Sequence, residues 1–79
     1  MSAKEMFEEL GFKFHSKDGD TTAYISDKIY NLAHKVVVVF YEGLNSISVH
    51  CGYGKSILIT VDLLQAINKQ VEELGWNNE

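Results

Sequence analysis

The sequence predicts an α+β domain of two layers, in which one helix, an antiparallel sheet of four to five strands and a second helix follow in chain order. Apolar residues recur at helical spacing near both ends of the chain, which indicates the two helices. Four consecutive valines over residues 36–39 indicate a strand in the middle, because β-branched side chains favour extended backbone. With 79 residues and a hydrophobic share of 46%, the chain fits one domain over residues 1–79.

The first helix is predicted over residues 3–10. Ser2 and Glu5 stand three positions apart, the spacing of a capping box in which each side chain binds the other residue's backbone amide. Apolar residues then follow at helical intervals, and Gly11 can adopt the left-handed backbone conformation that ends a helix. This segment therefore has a start signal, an apolar face and a stop signal.

A hairpin is predicted next, with strands over residues 12–15 and 21–26. Residues 16–20 between them, Ser-Lys-Asp-Gly-Asp, are rich in turn-forming types. Residues 27–33 mix loop residues with apolar ones, and their pattern leaves open whether they extend a strand or cover the core. The strand over residues 34–41 is apolar on both faces and is therefore expected to be central in the sheet.

The loop length of the second hairpin predicts which residues of its two strands pair. Residues 42–45, Glu-Gly-Leu-Asn, fit a four-residue loop, so Tyr41 pairs with Ser46 and a strand follows over residues 46–51. Because side chains alternate along a strand, one face is uniformly apolar and the other is mixed, the pattern of a sheet covered on one side. The apolar face carries Val36, Val38, Phe40, Ile47, Val49 and Cys51, and the mixed face carries Val37, Val39, Tyr41, Ser46, Ser48 and His50.

The last predicted strand covers residues 56–60, after a glycine-rich turn at residues 52–55. Its register is open by one residue, so that either Ile57 and Ile59 or Leu58 points into the core. Alternation does not decide between them, because all three side chains are apolar.

The second helix is predicted to begin after Thr60, whose hydroxyl suits an N-cap, and to end at Gly75. Asp62 lies in the first turn, where the helix dipole favours a negative charge. Trp76 follows the helix and is expected to fold back over the seam between helix and sheet, with a role in binding as the alternative. The apolar stripe of this helix is Leu63, Leu64, Ile67, Val71 and Leu74.

The charge pattern disfavours direct binding of nucleic acid. The net charge is -4, all seven basic residues are lysine, and neither arginine nor proline occurs. Residues 1–30 carry a balance of -2, residues 31–60 of +1 and residues 61–79 of -3, so the acidity is concentrated at the ends. Phosphate-binding surfaces concentrate positive charge on one face. We therefore expect no direct nucleic-acid partner.

The sequence indicates a cytoplasmic protein without a membrane partner. The longest purely apolar run, residues 36–41, is far shorter than the about 20 residues of a spanning helix. The N-terminal residues lack the basic and apolar regions of a signal peptide. Cys51 is the only cysteine and cannot form an internal disulfide, which suits a reducing compartment.

No motif predicts a cofactor, a metal or a catalytic group. Residues 52–56, Gly-Tyr-Gly-Lys-Ser, resemble the end of a phosphate-binding loop, but Val49 occupies the position of its first glycine and a strand follows where a helix is needed. The three histidines and Cys51 lack the paired spacing of metal ligands, and this cysteine is expected in the core, where a thiol is inert. We therefore expect no cofactor and no enzymatic activity.

The mixed face of the sheet is the candidate interaction surface. Val37, Val39 and Tyr41 are expected to be exposed together on it, and exposed apolar patches commonly mark interfaces. Ser48 and His50 continue this surface on the neighbouring strand. The alternative is that the second helix or the segment after the second strand covers it.

The two ends of the chain resemble a known set of proteins. Residues 3–12, AKEMFEELGF, resemble the opening of small uncharacterised proteins from Firmicutes and their prophages, and residues 59–76, ITVDLLQAINKQVEELGW, resemble their ending. This resemblance implies a helix–sheet–helix domain with a phage or prophage background, and it brings no known activity. The element order is also similar to that of the double-stranded-RNA-binding domain, but residues 60–63 lack the lysine cluster with which that family grips phosphates.

Together these patterns predict a non-enzymatic protein-interaction module that acts through an open sheet face or as a homodimer. Its partner is then another protein or a second copy of the chain. An acidic inhibitor that imitates nucleic acid and blocks a host DNA-binding enzyme is the alternative, since the termini are acidic and resemble prophage proteins.

Overall fold

Two helices and a four-stranded antiparallel sheet form the fold, seen in a computed structural model that describes residues 1–26, 36–51 and 58–76. The strands lie side by side in chain order, and every neighbouring pair is antiparallel. The predicted α+β class, with the order helix, sheet, helix, is confirmed. The elements are α1 (Ala3–Glu9), β1 (Phe12–Asp18), β2 (Thr21–Ser26), β3 (Val36–Tyr41), β4 (Ser46–Cys51) and α2 (Val61–Glu73).

The capping box at the start of α1 is formed as predicted. The backbone amide of Glu5 donates to Ser2 Oγ at 3.1 Å, and the amide of Ser2 donates to Glu5 Oε1 at 2.8 Å. The hydrogen bond from the Ser2 backbone, followed by that with its side chain, lowers the pKa of the Glu5 carboxyl, because both favour the ionised form. Gly11, at φ 92°, takes the left-handed conformation that ends the helix.

The first hairpin is longer than predicted and carries a bulge. β1 continues to Asp18, which pairs with Thr21, so the connecting loop has only two residues. Gly19, the first of these two, has φ 62°, a conformation that glycine adopts at little cost. His15 is the extra residue of a β-bulge, since its two neighbours pair with consecutive residues of β2. The turn lies within the predicted residues 16–20 but is shorter than predicted, since residues 16–18 belong to β1.

The second hairpin has the predicted register. Tyr41 pairs with Ser46, and the pairing continues without a shift as far as Val36 opposite Cys51. A short 3₁₀ turn connects the two strands and ends at Asn45, which adopts the left-handed conformation at φ 48°. β3 lies between β2 and β4, which confirms that the valine-rich strand is central.

The hydrophobic core lies between the two helices and one face of the sheet, with Phe7 of α1 at its centre. The Phe7 ring stacks on Tyr24 with centroids 4.1 Å apart. It meets Phe12 edge-on at 5.6 Å and Phe40 edge-on at 6.2 Å. Both helices therefore pack on the same side of the sheet. The buried cluster comprises Phe7, Phe12, Tyr24, Val36, Val38, Phe40, Leu63, Ala66 and Ile67.

α2 begins as predicted, but its buried stripe is narrower. Thr60 Oγ1 accepts a hydrogen bond from the amide of Leu63 at 3.1 Å, which confirms the N-cap. The prediction that Leu64 faces the core is wrong, since this residue is 48% exposed. Consecutive residues lie about 100° apart around an α-helix, and the orientation of α2 turns Leu63 to the core and Leu64 away from it. The buried residues of α2 are Leu63, Ala66, Ile67 and Gln70.

Trp76 closes the core at the end of α2, as predicted. The amide of Gly75 donates to the Glu72 carbonyl at 3.0 Å and the amide of Trp76 to the Val71 carbonyl at 3.2 Å, the two hydrogen bonds of a Schellman motif. This turn directs the indole back over the sheet, where its ring centroid lies 6.3 Å from that of Phe40. The partly buried Trp76 thus seals the seam between helix and sheet.

The predicted fifth strand is not formed in its described part. Residues 58–60 carry no strand assignment, and Leu58 and Ile59 are both exposed, so neither alternative for the inward-facing residue holds there. Because Thr60 already caps α2, the chain leaves the sheet layer at this point. The interpretations of residues 27–33, of His34, of residues 52–56 and of the Cys51 side chain lie outside the described part of the chain.

Thr22 offers a stabilising substitution. It is buried on the helix-facing side of β2, and its hydroxyl has no hydrogen-bond partner among the residues that the structure describes. Such a hydroxyl costs about 1–3 kcal/mol, so we expect Thr22→Val, which keeps the branched shape, to raise the free energy of unfolding by about 1 kcal/mol in urea denaturation. The control is Thr21→Val on the opposite face, for which we expect a change below about 0.5 kcal/mol. Equal changes in the two variants would contradict this assignment.

Candidate interaction surface on the sheet

We call the face of the sheet that is turned away from the helices the outer face. Strand pairing places its side chains in three rows, each of which crosses the sheet from β1 to β4. On β2, β3 and β4 the rows lie two residues apart, because alternate side chains point to the same face. The first row is Asp18, Thr21, Tyr41 and Ser46; the second is Ser16, Ala23, Val39 and Ser48; the third is Lys13, Ile25, Val37 and His50.

The five residues of the predicted surface lie together on the outer face. Val39 pairs with Ser48, and Val37 pairs with His50. Tyr41 is 37% exposed, His50 is exposed, and Val37 and Ser48 are half-buried. Val39 is only 8% exposed, so the prediction that it is exposed with its neighbours is wrong. It lies on a central strand in the middle row, between Ser48 and Ala23, and Ala23 is also buried at 6% exposed.

β1 contributes two charged residues to the outer face that sequence reasoning did not bring together. Strict alternation along β1 directs Lys13 and Lys17 outward and Asp18 toward the helices. The bulge at His15 reverses the alternation beyond it, so Asp18 shares the outer face with Lys13. Lys17 instead reaches the loop after β3, where its Nζ lies 3.1 Å from Glu42 Oε2. No signal in the residues of one strand marks such a bulge, so only the pairing with β2 reveals this arrangement.

The outer face is neutral at its centre and charged at two corners. The middle row holds only small side chains, namely two serines, an alanine and a valine. Larger apolar side chains, those of Ile25, Val37 and Tyr41, lie in the rows on either side. Asp18 in the first row and Lys13 in the third row are both exposed on the edge strand β1. The face therefore combines a weakly polar centre with opposite charges at opposite ends of one strand.

Ser48 and His50 form a hydrogen-bonded pair on the outer face, with Ser48 Oγ and His50 Nδ1 3.0 Å apart. A serine next to a histidine is the first requirement of nucleophilic catalysis, which further needs a group that orients the imidazole and donors that bind an oxyanion. The β3 neighbours of this pair in the rows are Val39 and Val37, which supply neither. The pair is therefore a local contact between alternate residues of β4.

The helical layer carries the acidity of the protein. α1 and α2 hold six carboxylates and two lysines, a balance of -4 that equals the net charge of the chain. Glu73 Oε2 accepts from the amide of Ala3 at 2.8 Å and thereby ties the two helices together. Lys69 Nζ donates to Glu72 Oε1 at 3.0 Å, and this hydrogen bond and the carboxylate charge raise the pKa of Lys69. Some of the carboxylates are thus already hydrogen-bonded within the helical layer.

An open groove of about 420 Å³ lies between α1 and the first turns of α2. Met6 and Leu10 give it an apolar lining, and Glu9 and Asp62 bring carboxylates to it. Among the described residues that line it there is no histidine, cysteine or serine, and so no Ser–His or Cys–His pair of the kind that nucleophilic catalysis uses. Its lining residues are Met1, Met6, Glu9, Leu10, Asp62 and Gln65.

Within residues 1–26, 36–51 and 58–76, no three histidine, cysteine, aspartate or glutamate side chains converge as a metal site requires. Among the helices of these segments, none has the length and apolar character needed to cross a membrane. The chain matches no protein-family model, and neither curated proteins nor solved structures give a significant match. The resemblance of its termini to small Firmicutes and prophage proteins stays a prediction.

Proposed function

We propose that this protein is a non-enzymatic protein-interaction module of the cytoplasm and that its working surface is the outer face. Its partner is a second copy of the chain or another protein, in the phage or prophage setting that the resemblance of its termini implies. One observation carries the proposal. Apolar side chains remain partly exposed on the outer face, while both helices pack against the other side of the sheet.

The composition of the outer face supports this proposal. Tyrosine is enriched in the cores of protein interfaces, whereas lysine and glutamate are depleted there. Tyr41 and Val37 flank the middle row, and the charged side chains Lys13 and Asp18 stand on the edge strand. An antiparallel sheet needs only one covered face for stability, so its second face is available for association.

Tyr41→Lys tests the outer face. We expect this variant to lose association, because it places a charge beside an apolar centre that must be desolvated on binding. Leu64→Lys is the matched control, since Leu64 is exposed on α2 in the other layer and the charge change is the same. Sedimentation velocity over a concentration series, with the purified chain alone and with added total cell protein, measures association for each. Indistinguishable behaviour of the two variants in both settings contradicts the proposal.

An acidic inhibitor that imitates nucleic acid is the second candidate function. The balance of -4 on the helical layer favours it, since a DNA-binding enzyme attracts negative charge. Glu5, Glu72 and Glu73 are engaged in hydrogen bonds within the chain, which leaves fewer carboxylates to imitate phosphates. The helical layer therefore supports the inhibitor less strongly than the outer face supports the interaction module.

The inhibitor is distinguished from the interaction module by the layer that it uses. Inhibition of a basic DNA-binding enzyme should weaken as salt is raised, and it should be lost in Glu8→Lys and Glu9→Lys, which change exposed residues of α1. Tyr41→Lys should leave that inhibition intact. Inhibition that is insensitive to salt, or no inhibition at all, removes this candidate.

A further inference from the structure

The groove between α1 and the first turns of α2 has an apolar lining that is suited to binding. Met6 and Leu10, the residue that caps α1, are four positions apart and therefore lie on the same face of the helix. Met1 adds a third apolar side chain, so both methionines of the chain line this groove. Methionine is flexible and polarisable, which lets a methionine-lined surface adapt to apolar side chains of different shapes.

This apolar lining is only partly used by the fold. Met6 and Leu10 pack against the hydrophobic core and are nevertheless half-buried, not fully buried. Met1 is 69% exposed. The groove therefore leaves apolar surface in contact with water, and covering it on binding is favourable.

Each wall of the groove carries a free carboxylate. Glu9 belongs to α1 and Asp62 to α2, and both are exposed. Neither has a hydrogen-bond or ion-pair partner among residues 1–26, 36–51 and 58–76, in contrast to Glu5 and Glu73 on the same two helices. The described lining holds no lysine that would balance these charges. The groove is therefore complementary to a ligand that is apolar in the middle and basic on both sides.

The shape of the groove favours a segment of a protein over a small molecule. Its volume of about 420 Å³ lies in the range of ligand sites, about 300–1,000 Å³. Such sites enclose most of a small ligand, whereas this groove is open along its length. An amphipathic helix covers an open groove with its apolar face and keeps its charged residues at the rim. Helices that pack on one another lie about 8–10 Å apart, so one further helix can rest on α1 and α2 together.

We infer that this groove binds a basic amphipathic helix of a partner protein. The apolar face of that helix packs on Met6 and Leu10, and its lysine or arginine residues pair with Glu9 and Asp62. The site lies in the helical layer, so it is a second binding surface and does not depend on the proposed function of the outer face. It also differs from an imitation of nucleic acid, because it requires the apolar lining as well as the carboxylates.

A synthetic peptide of leucine and lysine, about 14 residues long with leucine at helical spacing, is the probe for this site. Fluorescence anisotropy of the labelled peptide with the full chain measures its affinity. We expect binding that weakens as salt is raised, because the ion pairs are at the rim. A peptide with glutamate in place of lysine should not bind, and neither should one with serine in place of leucine.

Two pairs of variants test the position of the site. Glu9→Lys should weaken peptide binding about tenfold, since it replaces an attraction by a repulsion. Glu8→Lys is the matched control, because it makes the same charge change at an exposed neighbour outside the lining, and we expect a loss below about threefold. Met6→Gln should weaken binding about fivefold through lost apolar contact, whereas Leu64→Gln, outside the groove, should have no effect. Circular dichroism checks that each variant is folded.

The outcomes separate this site from the other two surfaces. A larger loss in Glu9→Lys than in Glu8→Lys, together with a loss in Met6→Gln and none in Tyr41→Lys, supports the inference. Equal losses in Glu8→Lys and Glu9→Lys overturn it, because they indicate attraction by the whole acidic layer. A loss in Tyr41→Lys overturns it as well, since the peptide then lies on the outer face. Failure of the unmodified chain to bind the leucine–lysine peptide also overturns it and leaves the proposed function of the outer face standing.

Discussion

Phe7→Ala is expected to lower the free energy of unfolding by about 3–5 kcal/mol, the range for removal of a buried aromatic ring. Phe7 is fully buried, and its ring stacks on Tyr24. It also meets Phe12 and Phe40 edge-on, and each aromatic pair adds about 0.5–1.5 kcal/mol beyond the burial of area. Because a chain of this length is stable by only about 4–12 kcal/mol, the variant would lie close to the limit of folding.

Phe14→Ala is the control for this prediction. Phe14 is 42% exposed on the edge strand, and its ring meets Tyr24 edge-on at 5.8 Å. We expect a loss of about 1 kcal/mol. Urea denaturation followed by circular dichroism measures both variants, at a concentration low enough to keep the chain monomeric, since association adds apparent stability. Similar losses in the two variants would show that Phe7 is not the centre of the core.

Tyr24→Phe is expected to cost about 1–3 kcal/mol, because it leaves a buried acceptor without a donor. The Tyr24 hydroxyl donates to Gln70 Oε1, and both residues are buried between β2 and α2. Adding Gln70→Leu to the variant removes the stranded acceptor, so the double variant should recover part of the loss. A double-mutant cycle in urea isolates the energy of this pair. Losses that simply add would show that the hydrogen bond contributes nothing.

The same tyrosine predicts a loss of stability in alkali. Burial, and then the nearby carboxylates of Glu73 and Glu8, raise the pKa of Tyr24 above its ordinary value of 10.0. The folded chain therefore holds this proton more tightly than the unfolded chain. Its contribution to stability is complete below the unfolded-state pKa and is lost as the pH rises through the folded-state value.

Comparison with Tyr24→Phe isolates this contribution. The unmodified chain should lose stability more steeply above about pH 10 than the variant, which has no phenol to ionise at this position. Tyr41→Phe, on the partly exposed surface of the sheet, serves as the matched control and should retain the full decline. Parallel curves for the unmodified chain and Tyr24→Phe would contradict the assignment.

Short-range patterns were sufficient for the helix ends and for half of the candidate surface. The Ser2–Glu5 box, the Thr60 cap and the glycine that ends each helix act over three or four residues, so their effect is visible in the sequence. The loop after Tyr41 likewise sets the pairing of β3 with β4. The positions of Val37, Val39, Tyr41, Ser48 and His50 on one face follow from that single loop length.

The other half of the surface depends on contacts between strands. One extra residue at His15 reverses the alternation of side chains along β1 and places Asp18 on the same face of the sheet as Lys13. Phe14 and Ser16 pair with consecutive residues of β2, so the bulge is defined by the pairing of the two strands and is not visible in the residues of β1 alone. The position of Asp18 on the outer face is therefore a product of the strand pairing.

Which side chains are buried was the second property that only the folded structure decided. Leu63 and Leu64 are chemically the same, and only the orientation of α2 on the sheet buries the first and exposes the second. Val39 is buried, although its alternation pattern is that of a position on the face turned away from the helices. Local signals act within a few residues and are legible in the sequence, whereas bulges, helix orientation and burial arise from contacts between segments that are distant along the chain.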